Sequence, residues 1–416
     1  MSNKAVMKQD AKPGLTPKLR FPEFQDGPIW KDGKVGELVS TVTPPKKLPA
    51  SSYLEKGSFP IIDQSQREIC GWTNDDKAVI AAPLPLIIFG DHTCALKFIA
   101  RPFAQGADGI KILNARHDIG NEYLFHFLNF QPVVTEEYKR HFSILQEKRV
   151  SYPDIKTGEQ QKIADCLTTL DEVIAAEARK LDALKTHKKG LMQQLFPREG
   201  ETLPRLRFAE FQDAPEWVEI PIGQKVKLLS GYPFDGADIL EARGGKRLLR
   251  GINITEGVIR HGPSIDRYFH GETEQLERYL LQENDLVIGM DGSKVGKNSS
   301  LISPLDSGSL LIQRVARLRT GNPILIKFIF QQINSPKFHV YVDRINTSSG
   351  IPHISAKQIQ EFQVCFPSDE EQAKVVGCLT SFDDLITAQT AKLEALKTHK
   401  KGLMRQLFPS PEVVEA

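Results

Sequence analysis

The sequence predicts an α+β fold in which two globular domains are separated by two long helices that pair as an antiparallel coiled coil. Three observations predict it: two segments of the chain occur twice, one of them carries a long heptad pattern, and the regions between them are rich in short β-type runs. The duplication also predicts internal pseudo-twofold symmetry. At 416 residues the chain has room for two or three domains.

Two segments of the chain are each repeated. An opening segment, PKLRFPEFQDGPIW at Pro17–Trp30, recurs at Pro204–Trp217 with ten of 14 positions identical and an offset of 187. A longer segment at Glu159–Pro197 recurs at Glu371–Pro409 with 25 of 39 positions identical and an offset of 212, and its decamer ALKTHKKGLM is unchanged. The segments in between show no convincing match. The predicted divisions are a flexible N-terminus at 1–16, a first domain at 17–158, a first long helix with its linker at 159–203, a second domain at 204–370, and a second long helix with a C-terminal tail at 371–416.

The longer repeat has the pattern of a coiled-coil helix. Apolar residues alternate at spacings of three and four, which is the heptad period of 3.5, and proline follows each helix at Pro197 and Pro409. A 37-residue helix is about 55 Å long and cannot bury such a seam alone, so its own copy is the expected partner. Parallel pairing between two chains is the alternative. The predicted seam residues are Ile163, Leu167, Leu170, Ile174, Leu181, Leu184, Val375, Leu379, Phe382, Ile386, Leu393 and Leu396.

Four polar residues, Glu177, Lys188, Gln389 and Lys400, occupy seam positions at which an apolar side chain is expected, and Glu177 and Gln389 are the candidates to set the register. Buried polar groups set the register of some coiled coils. A polar residue that simply faces solvent explains the pattern equally well, and the sequence leaves both explanations open.

The regions between the repeats, Trp30–Tyr152 and Val218–Pro367, contain short β-type runs separated by Gly, Asn and Pro, such as DLVIGMDG at Asp285–Gly292, with helical stretches between them. Each region is predicted to be a compact α+β domain. Several of their loops carry basic and hydroxyl side chains, which can contact phosphates and base edges, although such clusters are also typical of a solvated face. The candidate DNA-binding residues are Lys46, Lys47, Arg67, Arg243, Lys246, Arg247, Lys294, Lys297 and Ser348.

The sequence carries no pattern typical of a catalytic or metal site. Its five cysteines include no CxxC pair, no HExxH pair is present, and GSKVGK at Gly292–Lys297 is one residue too short between its glycines for a phosphate-binding loop. A formal net charge of +2 does not indicate nucleic-acid binding by bulk charge, so any basic surface is local. We expect no catalytic residues, no metal and no cofactor in this chain, no membrane association, and a reducing, cytoplasmic location.

The repeated segments, together with DLVIGMDGSKVGK and SGIPHIS at Ser349–Ser355, resemble the specificity (S) subunit of a Type I restriction–modification system. The resemblance covers nearly all of residues 17–409. It implies that the variable regions are target recognition domains, that each reads one half of a bipartite sequence in double-stranded DNA, and that the paired helices fix the spacing between the halves.

The resemblance also implies a non-catalytic chain within a defence complex. Its partners would be two methylation (M) subunits, which carry S-adenosylmethionine, and two restriction (R) subunits, which use ATP and magnesium. Because the two variable regions differ, the target should be asymmetric.

Three other functions fit parts of the pattern. One is a specificity subunit of another methylation-based defence system, and a second is a coiled-coil scaffold that binds proteins rather than DNA. The third is a free-standing nuclease or methyltransferase, which the missing catalytic motifs disfavour. Salt-dependent, sequence-selective duplex binding with a methylation partner would separate the first from the scaffold.

Overall fold

The computed structural model describes residues 16–80, 83–107, 109–134, 140–346 and 352–409. The chain forms two compact units. The first unit consists of Met1–Ala178 with Ala391–Ala416, and the second of Arg179–Thr390. Each unit therefore combines one variable region with half of each long helix. The long helices are α4, at Glu159–Leu195, and α8, at Asp369–Leu407.

The first unit contains ten strands and three short helices within its described residues. Its strands are β1 (Lys31–Lys34), β2 (Val39–Val42), β3 (Phe59–Ile62), β4 (Gly71–Thr73), β5 (Val79–Ile80), β6 (Leu86–Gly90), β7 (Leu96–Ile99), β8 (Phe103–Gln105), β9 (Ile110–Ala115) and β10 (Arg149–Tyr152). Its short helices are α1 (Val35–Leu38), α2 (Asn121–Phe130) and α3 (Phe142–Glu147).

The second unit has a similar inventory with one additional hairpin. Its strands are β11 (Val218–Pro221), β12 (Lys227–Ser230), β13 (Lys246–Leu249), β14 (Ile254–Thr255), β15 (Val258–Ile259), β16 (Arg267–Phe269), β17 (Leu286–Gly289), β18 (Ser299–Leu301), β19 (Leu310–Leu311), β20 (Val315–Arg319) and β21 (Gln363–Phe366). Its short helices are α5 (Pro323–Ile333), α6 (Pro336–Ile345) and α7 (Ala356–Glu361).

The two variable regions share one topology, although their sequences do not visibly match. The first has sheets in the orders β2-β9-β6-β7, β4-β3-β8-β5 and β1-β10. The second has the orders β12-β20-β17-β18, β16-β13-β19 and β11-β21; it adds the hairpin β14-β15, and at the place of β5 it has only an isolated bridge between Leu280 and Leu310. Between the named strands of the described residues, the only parallel pairing in each unit is at the same place, β3 with β8 and β13 with β19. The whole chain is therefore a duplication, and the variable regions have diverged in sequence while keeping their fold.

The long helices pair in antiparallel fashion, as predicted. In the first unit, Ile163 and Leu167 near the start of α4 share a core with Leu407 at the end of α8. In the second unit, Leu195 at the end of α4 shares a core with Leu379 near the start of α8. Since the start of one helix packs against the end of the other in both units, their directions are opposite.

The predicted seam side chains all lie at buried or half-buried positions. Of the two candidates to set the register, Glu177 forms an ion pair with Lys392, and Gln389 is buried. Whether they set the register stays a prediction. The buried seam residues are Ile163, Leu167, Leu181, Val375, Leu379 and Leu393, and the half-buried ones are Leu170, Ile174, Leu184, Phe382, Ile386 and Leu396.

The repeated opening segment is held to the repeated helix by a buried ion pair in each unit. Arg20 donates from Nε and Nη2 to the two carboxylate oxygens of Glu159, the first residue of α4, at 2.8 and 2.6 Å. Arg207 makes the same two contacts to Glu371 at 2.8 Å each. The hydrogen bond to the glutamate raises the pKa of each arginine. In both units the opening segment therefore binds the start of the repeated helix, and we call this contact the joint of the unit.

Aromatic residues from the same repeats complete the joint. Phe408, just after α8, packs edge-on against Tyr123 of α2, with ring centroids 5.6 Å apart. Phe196, just after α4, packs against Phe328 of α5, also at 5.6 Å. The repeated Trp30 and Trp217 are buried beside Tyr123 and Phe328. Each variable region is therefore anchored on the start of one long helix and the end of the other.

Candidate nucleic-acid interface

In the second unit, three loops meet at one edge of the β-structure. Residues 250–253 follow β13, residues 290–298 follow β17, and residues 312–314 follow β19. Because β13 and β19 are parallel neighbours, their carboxyl ends lie together. The backbone N–H of Met290 donates to the carbonyl of Arg314 at 2.9 Å, which ties the second loop to the third. We call these residues the loop edge of the second unit.

The loop edge of the second unit surrounds a cavity of about 380 Å³. Its side chains are of the types that read base edges: arginine, glutamine, asparagine and aspartate. The carboxamide Oε1 of Gln313 is buried and has no hydrogen-bond partner among the described residues. The lining residues are Ile239, Arg250, Gly251, Ile252, Gly289, Asp291, Asn298, Ile312, Gln313 and Arg314.

Arg314 is the most unusual residue at this edge. Its φ of +67° lies in the left-handed region, which costs a non-glycine residue about 1 kcal/mol or more. Its side chain is 71% exposed and pairs with Asp291 at 3.0 Å. Arginine is a side chain that can donate two hydrogen bonds to a guanine base edge, and here a carboxylate limits its freedom.

The first unit builds an equivalent edge from the same strand ends. Residues 63–67 follow β3, residues 91–95 follow β6, and residues 106, 107 and 109 follow β8. The N–H of Asp91 donates to the carbonyl of Gly109 at 2.7 Å, which matches the contact between Met290 and Arg314. Gly109, with φ of +100°, stands where the second unit has Arg314. We call these residues the loop edge of the first unit.

A glutamine again marks this edge. The Oε1 of Gln64 is buried without a hydrogen-bond partner among the described residues. A Cβ at Gly109 would lie 2.7 Å from the Gln64 carboxamide, and the φ of +100° also favours glycine at this position. Lys97 holds this loop in place. It is only 8% exposed, and its Nζ donates hydrogen bonds to the carbonyls of Asp63 at 2.8 Å and Arg67 at 2.5 Å.

The predicted DNA-binding residues of the first unit lie at its surface. Arg67 is exposed on the loop edge of the first unit. Lys46 is exposed and pairs with Asp75 at 2.7 Å. Lys47 is exposed, and its backbone forms a parallel bridge with Gln105 at the end of β8. Because Gln105 is the last residue of β8, this bridge places Lys47 at the same end of the strands as the loop edge of the first unit.

The predicted residues of the second unit are more dispersed. Arg243, just before β13, and Lys246, its first residue, are exposed. Arg247 is half-buried, and its Nη1 lies 3.9 Å from Asp306. Lys294 and Lys297 belong to the loop edge of the second unit. Each faces a carboxylate: Lys294 lies 3.4 Å from Glu256, and Lys297 lies 3.2 Å from Asp343. Ser348 lies outside the described residues.

Sequence reasoning did not select Gln64, Lys97, Gln313 or Arg314. A signal existed for the last two, because the polar pair Gln313-Arg314 interrupts the apolar run SLLIQRVARLRTG. Their meeting with Asp291 depends on strand pairing between distant segments, which no local pattern reveals.

Two further observations bear on the chemistry of the chain. Among the residues that the structure describes, no group of three or more His, Cys, Asp or Glu side chains is placed to hold a metal ion. Over the same residues, no helix is both long enough and apolar enough to cross a bilayer.

Comparison with known proteins shows which proteins this chain is similar to. Residues 236–398 match the family described as the Type I restriction modification DNA specificity domain. The Type I restriction enzyme MjaVIII specificity subunit of Methanocaldococcus jannaschii is 20% identical over 405 residues, which cover 94% of this chain and 93% of that one. The EcoR124I/EcoR124II specificity subunit of Escherichia coli is 23% identical over 401 residues, with 91% and 95% covered.

A solved structure shares the fold over the same extent. The S subunit of a Type I restriction–modification system from M. genitalium superimposes with a TM-score of 0.65 at 17% identity, covering 95% of this chain and 99% of that one. The chain is thus related along nearly its whole length to Type I restriction–modification specificity subunits, which confirms the resemblance seen in the sequence. These similarities do not favour the scaffold alternative.

Proposed function

We propose that this chain is the DNA-binding specificity subunit of a Type I restriction–modification complex, and that each variable region recognises one half of an asymmetric bipartite target. The supporting observation is that the two regions share a topology but present different side chains at the same edge. The first presents Gln64 beside Gly109, and the second presents Gln313 beside Arg314. Gly109 and Arg314 occupy equivalent positions, whereas Gln64 follows β3 and Gln313 follows β19, so the two edges would present different hydrogen-bonding groups to different bases.

Each loop edge combines the two kinds of contact that sequence-specific binding needs. Exposed lysines and arginines such as Lys47 and Arg67 in the first unit and Lys294 in the second would contact phosphates and orient the domain on the duplex. Arg314 would donate two hydrogen bonds to guanine, and a glutamine carboxamide would pair with adenine. The chain is nearly neutral, so its partners would contribute part of the electrostatic attraction to DNA.

We assign the reactions to partner subunits. Two methylation subunits would carry S-adenosylmethionine and modify adenine, and two restriction subunits would use ATP and magnesium. The duplicated chain offers each methylation subunit an equivalent surface. We propose that the paired helices set the unread spacing between half-sites, near one helical turn of about 34–36 Å, and that the complex acts in the cytoplasm.

The test uses three variants in the complex with its methylation subunit. Arg314→Ala should lower discrimination at one base pair of one half-site by about 1–3 kcal/mol while leaving the other half-site unchanged. Gln64→Ala should affect only the other half-site. Arg314→Lys keeps the charge but loses the bidentate geometry, so it should resemble Arg314→Ala in specificity and wild type in salt dependence. Competition among duplexes with single base changes measures both effects. Equal losses on every sequence, or no loss, would contradict the assignment.

A further inference from the structure

The second unit contains an inserted segment that has no counterpart in the first. Residues 250–266 connect β13 to β16 with 17 residues, whereas the equivalent connection from β3 to β4, residues 63–70, has eight. The added length forms the hairpin β14-β15. Because the inserted segment begins within the loop edge of the second unit, it extends the surface that we assign to DNA.

A fully buried asparagine, Asn253, joins the two ends of the hairpin. Its Oδ1 accepts a hydrogen bond from the N–H of Arg250 at 3.1 Å, and its Nδ2 donates to the carbonyl of Arg260 at 3.1 Å. The same Nδ2 lies 3.2 Å from Oδ1 of Asp266, whose other oxygen accepts from the N–H of Gly262 at 3.1 Å. A polar network satisfied in this way fixes the conformation of the inserted segment before a ligand binds.

Two further contacts attach the inserted segment to the rest of the unit. At its base, the imidazole of His261 lies between two carboxylates, with Nδ1 3.2 Å from Asp266 and Nε2 2.7 Å from Asp306. At its tip, the N–H of Gly257 donates to the carbonyl of Ser299 on β18 at 2.8 Å. The hairpin is therefore held at both ends against the domain that carries the loop edge.

The inserted segment presents an isoleucine to the cavity at the loop edge. Ile252 is 49% exposed and lines this cavity of about 380 Å³ together with Ile239 and Ile312, beside the hydrogen-bonding side chains of Gln313 and Arg314. A half-exposed side chain gains little from burial on folding, so the fold does not require isoleucine here. Apolar and hydrogen-bonding groups side by side match the major-groove edge of DNA, where thymine presents a C5-methyl group next to an oxygen acceptor.

An arginine lies next to this isoleucine. Arg260 follows β15, and its Nη2 donates to the carbonyl of Ile252 at 3.0 Å, which fixes the position of the guanidinium. Its side chain is exposed and forms no ion pair within the described part of the chain, in contrast to Lys294 and Lys297. The rest of its donor fork is therefore available to an anion such as a backbone phosphate.

We propose that the inserted segment is an additional reading element of the second unit, in which Ile252 recognises a thymine through its C5-methyl group and Arg260 binds a neighbouring phosphate. This inference rests on the proposed function and specifies one base of one half-site. Cytosine is rejected at that position because it has no methyl group. The first unit has Ser65 at the third position after β3, where the second has Ile252 after β13, so the methyl contact belongs to one half-site only.

The experiment removes single methyl groups from the DNA. The full chain, in complex with its methylation subunit, is titrated with target duplexes in which each thymine is replaced in turn by deoxyuridine. The wild type should bind about fourfold more weakly at one thymine of the half-site read by the second unit, as expected for one buried methyl group. Ile252→Ala should bind the thymine and deoxyuridine duplexes equally at that position. Val258→Ala, which shortens an exposed apolar side chain of the same hairpin away from the cavity lining, should keep the wild-type preference.

Arg260→Gln tests the phosphate contact. It should weaken binding by the same factor whichever base pair of the target is changed, and it should lower the slope of log affinity against log salt by about one. Arg205→Gln, which removes an exposed arginine of the repeated opening segment, is the matched control and should leave both the affinity and the slope unchanged.

The outcomes separate this inference from the proposed function. If the wild type selects its sequence but binds every deoxyuridine duplex as tightly as the thymine duplex, or if Ile252→Ala stays as sensitive as the wild type, the thymine assignment is wrong and the proposed function stands. A loss confined to one base pair in Arg260→Gln, or an unchanged salt slope, overturns the phosphate assignment. If the wild-type complex selects no sequence at all, the proposed function itself fails.

Discussion

Replacing Glu159 with alanine removes the carboxylate to which the opening segment of the first unit is attached. Glu159 is 1% exposed and the Arg20 side chain is 8% exposed. The substitution leaves the guanidinium out of water with only the carbonyls of Gly27 and Pro28, at 3.0 and 3.4 Å, as acceptors. An arginine cannot lose its proton to relieve this, so the buried charge stays uncompensated.

Breaking a buried ion pair by removing one partner costs about 3–5 kcal/mol. We expect about 3 kcal/mol, because the two carbonyls still accept hydrogen bonds from Arg20. With a denaturant dependence of about 2 kcal/mol per molar urea, the unfolding midpoint should fall by about 1.5 M. Replacing both residues, Arg20→Met with Glu159→Met, removes the uncompensated charge and should cost less than Glu159→Ala alone.

Urea unfolding followed by tryptophan fluorescence is a suitable assay, because Trp30 is buried in the same joint. Glu172→Ala is the matched control. Glu172 is an exposed residue of the same helix without an ion pair among the described residues, so its loss should change stability by less than about 0.5 kcal/mol. A loss below about 1 kcal/mol for Glu159→Ala, or a double variant less stable than that single one, would refute the role given to this ion pair.

Two further predictions concern buried groups of the first unit. Burial lowers the pKa of His126 from 6.5 to about 4, so the unfolded chain binds a proton between these values and the folded chain does not. The free energy of unfolding should therefore fall by about 3 kcal/mol as the pH drops from 6.5 to 4. His126→Gln, which introduces the residue found at the equivalent Gln331, should flatten that profile in urea titrations, and parallel profiles would contradict the cause. Lys97→Met should loosen residues 63–67, because each lost charged hydrogen bond costs about 1.5–3 kcal/mol. Binding to one half-site should then weaken about tenfold in duplex titrations. Unchanged affinity for both half-sites would show that Lys97 does not position the loop.

The helix pair could be predicted from sequence because a heptad period maps directly onto one face of a helix. The seam side chains lie at buried or half-buried positions for that reason. The ion pair of each joint was not predicted, although both copies carry the same arginine and the same glutamate. Arg20 and Glu159 are 139 residues apart, and nothing in either local pattern indicates that the two segments meet.

The common topology of the variable regions could not be seen in the sequence. A strand buried on both faces needs only apolar residues, so Ile88 and Val287 can occupy equivalent positions without any visible identity. The loop edges were hidden for a related reason. Arg314 faces Asp291 because β17 pairs with β20. Its left-handed backbone could not be predicted either, because arginine rarely adopts that conformation and nothing in the sequence marks it.

Basic residues in loops do not by themselves indicate unpaired cations. Lys46, Lys294 and Lys297 each lie beside a carboxylate in the folded chain. Composition cannot distinguish such pairs from cations that are available to phosphate, because the carboxylates come from distant segments.

The central claim is that two unlike domains of one duplicated chain read two different half-sites. Mapping methylated adenines across the host genome tests it most directly. The account predicts one motif with two different specified halves separated by a fixed number of unspecified base pairs, and loss of that motif when the gene for this chain is deleted. A palindromic motif, a single uninterrupted motif, or a methylation pattern unchanged by the deletion would contradict it.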